Sequence, residues 1–336
     1  MSICAPMLPC TERMRERGCR AYMVQGKVAR TLSASARACR ARRGGHRLIT
    51  LRISHRTTYR YAEPVRLCPH RLLLRPREGG NVRLLGHQVL TDPYGQLSFG
   101  ADVFGNGLAT VAFPTPTDRL SIQALSTVEL SEPRPPRTAL SPEARTYPFR
   151  YSDSDWTDLG HLTSLHAPDP DGRLMAFAQS FVAGPGTDTL ALLSDLNAGI
   201  AKRLRYVIRT LESAQAPLET LDLGFGSCRD YAVLFAEAAR RLGFGVRLVS
   251  GYLFTPNRIP FGPQDQGATH AWAEVFLPGA GWVAFDPTNS TVAGGDLIPV
   301  AVARTMDLAT PVAGTYLGNN NVFQGMDVEV TVTPAW

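Results

Sequence analysis

A cysteine stands at the start of what reads as an amphipathic helix, in the run Gly224-Phe225-Gly226-Ser227-Cys228-Arg229-Asp230. Apolar side chains recur after it at Tyr231, Leu234, Phe235, Ala238 and Leu242, the spacing of one buried helical face. Cys228 precedes Tyr231 by three residues, so it shares that face in the first turn. Unpaired backbone N–H groups and the positive end of the helix dipole favour a thiolate there. Asp230 also suits a first turn, but as a neighbouring anion it is expected to oppose ionisation of the thiol. The two glycines permit a tight entry and the close approach of another backbone or a substrate.

The partners for such a thiol lie downstream. The strand formers of Ala268-Thr269-His270-Ala271-Trp272-Ala273-Glu274-Val275-Phe276-Leu277 end at the turn Pro278-Gly279-Ala280-Gly281, and Trp282–Asp286 follows before Pro287. Together they predict a β-hairpin. His270, Trp272, Glu274 and Phe276 share one face of the first strand; Trp282, Ala284 and Asp286 share one face of the second. If Phe276 pairs with Trp282, Trp272 faces Asp286 and His270 is its diagonal neighbour, with Cβ atoms about 7–8 Å apart. A shift of one residue would put the two on opposite faces. In that arrangement Cys228 is a nucleophile. His270 keeps it ionised and later protonates the leaving group, while Asp286 orients the imidazole. The backbone N–H of Cys228 can donate to an oxyanion. Tyr206 is a candidate second donor, against its simpler reading as an aromatic on a helix face. The same three side chains could instead hold zinc, but a fourth ligand is missing and a helix-start thiol favours nucleophilic use.

Four blocks carry a resemblance: Gly226-Ser227-Cys228-Arg229-Asp230-Tyr231-Ala232, Val249-Ser250-Gly251-Tyr252, His270-Ala271-Trp272-Ala273-Glu274-Val275, and Gly281-Trp282-Val283-Ala284-Phe285-Asp286-Pro287-Thr288-Asn289. In that order they resemble the bacterial transglutaminase-like superfamily. Ser54-His55-Arg56-Thr57-Thr58-Tyr59-Arg60-Tyr61 resembles the start of the β-rich N-terminal domain that accompanies this core in many members. The resemblance implies an α+β fold, a papain-like core with a helix-start cysteine packed on an antiparallel sheet. It puts the family's triad on Cys228, His270 and Asp286. It also implies acyl transfer from amides through a thioester, delivered to water or to an amine; hydrolysis, as in a peptidase or amidase, is the favoured outcome. The alternatives are transglutaminase-type transfer to amines and a non-catalytic binding module. The expected partner is a peptide or protein amide.

Composition fits a folded enzyme: of 336 residues, 44% are hydrophobic and 19% charged. The net charge of +6 is concentrated in residues 1–45, where nine Arg and one Lys meet two Glu. The rest is close to neutral, so nothing in it suggests a nucleic-acid surface and no nucleic-acid partner is expected. No run approaches the ~20 apolar residues of a membrane span, so the expectation is a cytoplasmic protein that engages no membrane. Neither a phosphate-binding glycine loop nor a calcium loop is present, and no cofactor or metal is expected.

Residues 1–46 read as a disordered or misassigned basic tail holding Cys4, Cys10, Cys19 and Cys39, without a C-x-x-C pair. Residues 47–130 read as a β domain: Ile49, Leu51, Ile53, His55, Thr57, Tyr59 and Tyr61 alternate along one strand, and Asn106-Gly107 signals a hairpin turn. His55 and His70 lack ligand spacing and read as structural or exposed. A Pro-rich linker is assigned to 131–160 and the catalytic domain to 161–336, where Leu190, Leu193, Leu196, Ile200 and Leu204 mark a helix. The loop carrying Pro256, Pro260, Gly262, Pro263 and Gly267 is expected to border the active cleft.

Overall fold

The computed structural model describes residues 48–132, 135–209, 213–254, 269–318 and 321–335. The basic start with its four cysteines and the loop from Pro256 to Gly267 lie outside the described residues. The first part is β1 (Ile49–Leu67), β2 (His70–Leu72), β3 (Val82–Asp92), β4 (Gln96–Ala101), β5 (Gly107–Ala112) and β6 (Thr117–Leu130). There follow α1 (Asp153–Leu159), α2 (Arg173–Gln179), α3 (Thr189–Arg203), β7 (Arg205–Tyr206), α4 (Pro217–Leu223), β8 (Phe225–Gly226) and α5 (Cys228–Arg241). The chain then adds β9 (Val246–Leu253), β10 (Thr269–Leu277), β11 (Gly281–Asp286), β12 (Thr291–Val292), β13 (Leu297–Ala303) and a last long strand, β14 (Phe323–Pro334), joined by shorter turns.

Alternation makes β1 the spine of the β-rich part. Leu51 and Ile53 point into a core while Arg52, Arg56 and Arg60 stay exposed. β1 pairs antiparallel with β6 on one side and with β14 on the other, and β6 also pairs with β3. A second antiparallel sheet, β2-β5-β4, packs Leu72, Val111 and neighbouring Phe113 against Leu120, Ile122 and Ala124. The two sheets bury one apolar layer between them, the arrangement expected of short antiparallel strands.

The second sheet region runs β12-β11-β10-β9-β13, all antiparallel. Helix α5 lies on one face of it. Ala232, Phe235, Ala236 and Ala239 share a core with Ala271, Ala273, Val275 and Leu277, and Phe235 stacks on Phe285 with ring centroids 5.2 Å apart. Small residues let the helix backbone approach the strands, and the two phenyl rings fill the space that remains. The helix's C-terminal half is held by buried ions: Glu237 bonds both Arg240 and Arg241, and Arg241 also reaches Asp169. The two guanidinium groups then donate to the carbonyls of Leu162, Ala167, Val246 and Arg304, so the charges are satisfied where they lie. Gly243 follows the helix at φ 90°, the left-handed residue that ends it.

The β-rich part packs on this sheet as well. Leu51, Ile53, Val82, Val128 and Leu130 pack against Tyr252, Phe254, Ile298 and Val300. The β4–β5 hairpin differs from a two-residue Asn-Gly turn: its loop runs from 102 to 106, and the left-handed residue is Gly105 at φ 69°. Asn106 is instead fully buried. Its amide nitrogen donates to the Val302 carbonyl at 2.8 Å and its oxygen accepts from Val302 N–H at 2.9 Å. A side-chain amide thus imitates a neighbouring strand along β13, the edge of the sheet. Among the described residues, no helix is long and apolar enough to cross a membrane.

Candidate active site

Ser227 is the last extended residue before α5, at φ −89° and ψ 178°, and Cys228 is its first helical residue. Asp230 fixes this start. Its carboxylate accepts from Ser227 N–H at 2.7 Å, the Ser227 hydroxyl at 2.8 Å, Gln215 N–H at 2.7 Å and the Arg209 guanidinium at 2.7 Å. The expectation that Asp230 opposes the thiolate is corrected here. Its charge is neutralised by Arg209 and turned back toward the preceding segment, and it is not among the groups that shift Cys228. Gly226 leaves room for it: a Cβ there would come 2.8 Å from the Asp230 Cβ.

The hairpin register is Phe276 opposite Trp282. His270 and Asp286 accordingly fall on one face, and His270 Nε2 lies 2.8 Å from Asp286 Oδ2. With Nε2 committed to the carboxylate, Nδ1 is the ring nitrogen that shares a hydrogen bond with the Cys228 thiol. The three side chains therefore stand in series, imidazole in the middle, and do not converge on a common point. Among the described residues there is no cluster of three or more His, Cys, Asp or Glu placed to hold a metal.

Electrostatics follow from this order. Burial pushes the Cys228 thiol up, but the His270 hydrogen bond and charge, the Ala271 N–H and Arg229 outweigh it and hold the thiol below its ordinary value. Burial favours neutral His270; its bonds to Asp286 and Cys228 overcome that and push it up to about 10. Asp286 is held down against its own burial by His270 and Asn289. A lowered thiol beside a raised imidazole favours transfer of the thiol proton to the ring, and the titration belongs to the pair and not to either residue. Cys228 remains partly exposed, whereas His270 and Asp286 are buried.

Asn289 was not singled out as a site residue from the sequence. Its side chain donates to Asp286 Oδ2 at 2.7 Å, while Thr288 N–H and Asn289 N–H approach Oδ1 at 3.0 and 3.3 Å. The signal was present in Asp286-Pro287-Thr288-Asn289, an Asp that folds its own following turn around its carboxylate. Tyr206 is in strand β7, not on a helix face as read from the sequence: the chain turns extended at Leu204, and Tyr206 pairs with Gly226. Its half-exposed ring meets Tyr231 edge-on at 6.2 Å, which sets it beside the first turn of α5. His55 and His70 are structural. His55 Nδ1 lies 3.0 Å from the Tyr252 hydroxyl, and His70 Nδ1 lies 2.7 Å from the Cys68 carbonyl.

Comparison with known proteins adds to this geometry. Residues 51–129 match the model of the bacterial transglutaminase-like N-terminal region, and residues 175–287 match that of the transglutaminase-like superfamily. An uncharacterised protein of Mycobacterium tuberculosis is 30% identical over 307 residues, covering 87% of this chain and 94% of its own. One from Mycobacterium leprae is 24% identical over 289 residues, covering 84% of this chain and 98% of its own. A crystal structure of a cysteine-protease candidate from Cytophaga hutchinsonii superposes with a TM-score of 0.65 at 19% identity, covering 86% of this chain and 94% of that one.

Proposed function

Since the chain belongs to the transglutaminase-like superfamily, we propose that it transfers acyl groups from amides through a thioester on Cys228, and that water is the usual acceptor. One observation carries the reading: His270 stands between a partly exposed thiol and a buried carboxylate, hydrogen-bonded to both. A structural cysteine has no need of that arrangement.

The Cys228 thiolate attacks the amide carbonyl carbon, and the oxygen gathers negative charge at the start of α5, where the Cys228 N–H can donate to it. Imidazolium His270 gives its Nδ1 proton to the amide nitrogen as the C–N bond breaks. The amine leaves, and the acyl group remains as a thioester. Water then attacks while His270 takes its proton, and the thiolate departs to release a carboxylic acid. Asp286 keeps the ring in orientation and stabilises its charged form throughout, with Asn289 and the Thr288 N–H holding Asp286 in turn. Hydrolysis is the favoured outcome because water needs only access to the thioester, while an amine acceptor needs a site that excludes water.

The test is a panel of peptide and glutamine-type amides, assayed side by side with water alone and with a fluorescent primary amine. Release of acid without amine incorporation is the expected result. Cys228→Ala abolishes turnover, His270→Ala nearly does, and Asp286→Ala leaves a small residual rate. Full activity in Cys228→Ala overturns the assignment. Amine incorporation that outpaces hydrolysis would instead make the protein a cross-linking acyltransferase.

A further inference from the structure

We propose that Trp272 is a positioning residue for His270, and that Phe104, delivered by the β-rich part, buttresses it from behind. The inference rests on the reading of Cys228 and His270 as a reactive pair.

Both nitrogens of His270 are engaged at the ring edge, one by Asp286 and one by Cys228. What holds the plane of the ring is therefore a contact on its face. Trp272 supplies it: the indole lies at 27° to the imidazole with centroids 6.1 Å apart, and it is 1% exposed. An aromatic face beside an imidazolium also favours the charged ring. Among the described residues the indole N–H has no hydrogen-bond partner. The side chain's use at this position is thus its flat surface and not its polar atom.

Trp272 is itself confined. Gly251, paired with His270 across β9 and β10, lies directly beneath it: a Cβ there would come 2.7 Å from Trp272 Cη2 and 2.2 Å from the Ile298 carbonyl oxygen. Val249, Leu297 and Val302 close the pocket, with Phe104 packed against them. Phe104 comes from the loop whose Asn106 is clamped to Val302, and Arg77 donates to both the Phe104 carbonyl and the Asn106 side-chain oxygen. Phe104 from the β4–β5 loop thus packs on the same apolar cluster as Trp272, whose ring stacks on His270. The consequence is that the β-rich part governs the reactivity of Cys228 without touching substrate.

The experiment is the rate of iodoacetamide alkylation of Cys228 from pH 5 to 10, in the full chain, for wild type, Trp272→Leu, Trp272→Phe and Phe104→Ala, each with its thermal midpoint. Wild type is expected to react well below the free-cysteine pKa of about 8.5. Trp272→Leu is expected to raise the apparent thiol pKa by about one unit and slow alkylation at pH 6 about tenfold, since a unit of pKa is tenfold in thiolate. Trp272→Phe keeps a flat face and recovers most of the rate; Phe104→Ala is intermediate. An ordinary pH profile in wild type would remove the reactive pair and with it the proposed function. A depressed profile in wild type that is unchanged in folded Trp272→Leu overturns the positioning role alone. Should Trp272→Leu fail to fold, an unchanged profile in Phe104→Ala overturns the proposal on its own.

Discussion

Removing the Asp230 carboxylate should cost more than any other single change near the helix start, and the cost follows from its four donors. Asp230 is fully buried, and the Arg209 side chain that it neutralises is 14% exposed. In Asp230→Ala, a mostly buried guanidinium loses its counter-charge, which costs about 3–5 kcal/mol in comparable pairs. The Ser227 and Gln215 N–H groups are orphaned as well, each worth about 1–3 kcal/mol if water does not replace the bond. These contributions share one cavity and do not add, so a loss of about 4–6 kcal/mol is expected. That is a large share of the roughly 5–15 kcal/mol that holds a domain folded. Asp230→Asn keeps one acceptor oxygen and turns an amide donor toward another donor, so its cost should be about half as large. Urea unfolding of the wild type, Asp230→Ala, Arg209→Ala and the double variant measures the coupling. Arg209→Ala should rescue part of the Asp230→Ala loss, because it removes the uncompensated cation, giving a coupling of at least about 2 kcal/mol. A loss under about 1 kcal/mol in Asp230→Ala, or a coupling near zero, would refute the idea that Asp230 ties Arg209 and Gln215 to the start of α5.

Two further outcomes test the way the β-rich part is joined to the sheet that carries His270. Burial holds His55 at about 4, below its ordinary 6.5, so the unfolded chain binds the proton first. Its contribution to stability is therefore complete above pH 6.5 and is lost as pH falls toward 4, by up to about 3 kcal/mol; denaturant midpoints at pH 7 and 4.5 should differ less in His55→Gln than in wild type, and equal differences would count against it. Asn106→Ala strips the N–H and carbonyl of Val302 of their partners and should lower stability by about 2–4 kcal/mol in urea. Hydrogen exchange at Val302 should rise in the same variant; protection as strong as in wild type would mean that the clamp is dispensable.

Much of the site was legible in the chain because its parts obey local rules. Helical spacing after Cys228 announced the helix. The Pro278–Gly281 turn announced the hairpin, and alternation put His270 with Asp286 once Phe276 met Trp282. Asp230 is visible there too, but its effect is not, since the neutralising Arg209 lies 21 residues away and only folding brings it there. Asn106-Gly107 marks the hairpin but not the role of Asn106, because a side-chain amide facing β13 depends on a partner 196 residues later. Periodicity places residues on faces within an element; it carries no record of which face of another element will meet them. The sequence by itself determined the place of Cys228 at a helix start and the histidine–carboxylate face of a hairpin. Tertiary structure alone decided that Arg209 silences Asp230 and that Trp272 backs His270. It also decided that the β-rich part packs on the sheet that carries His270, because each of these depends on a long-range contact between surfaces that local pattern leaves unpaired.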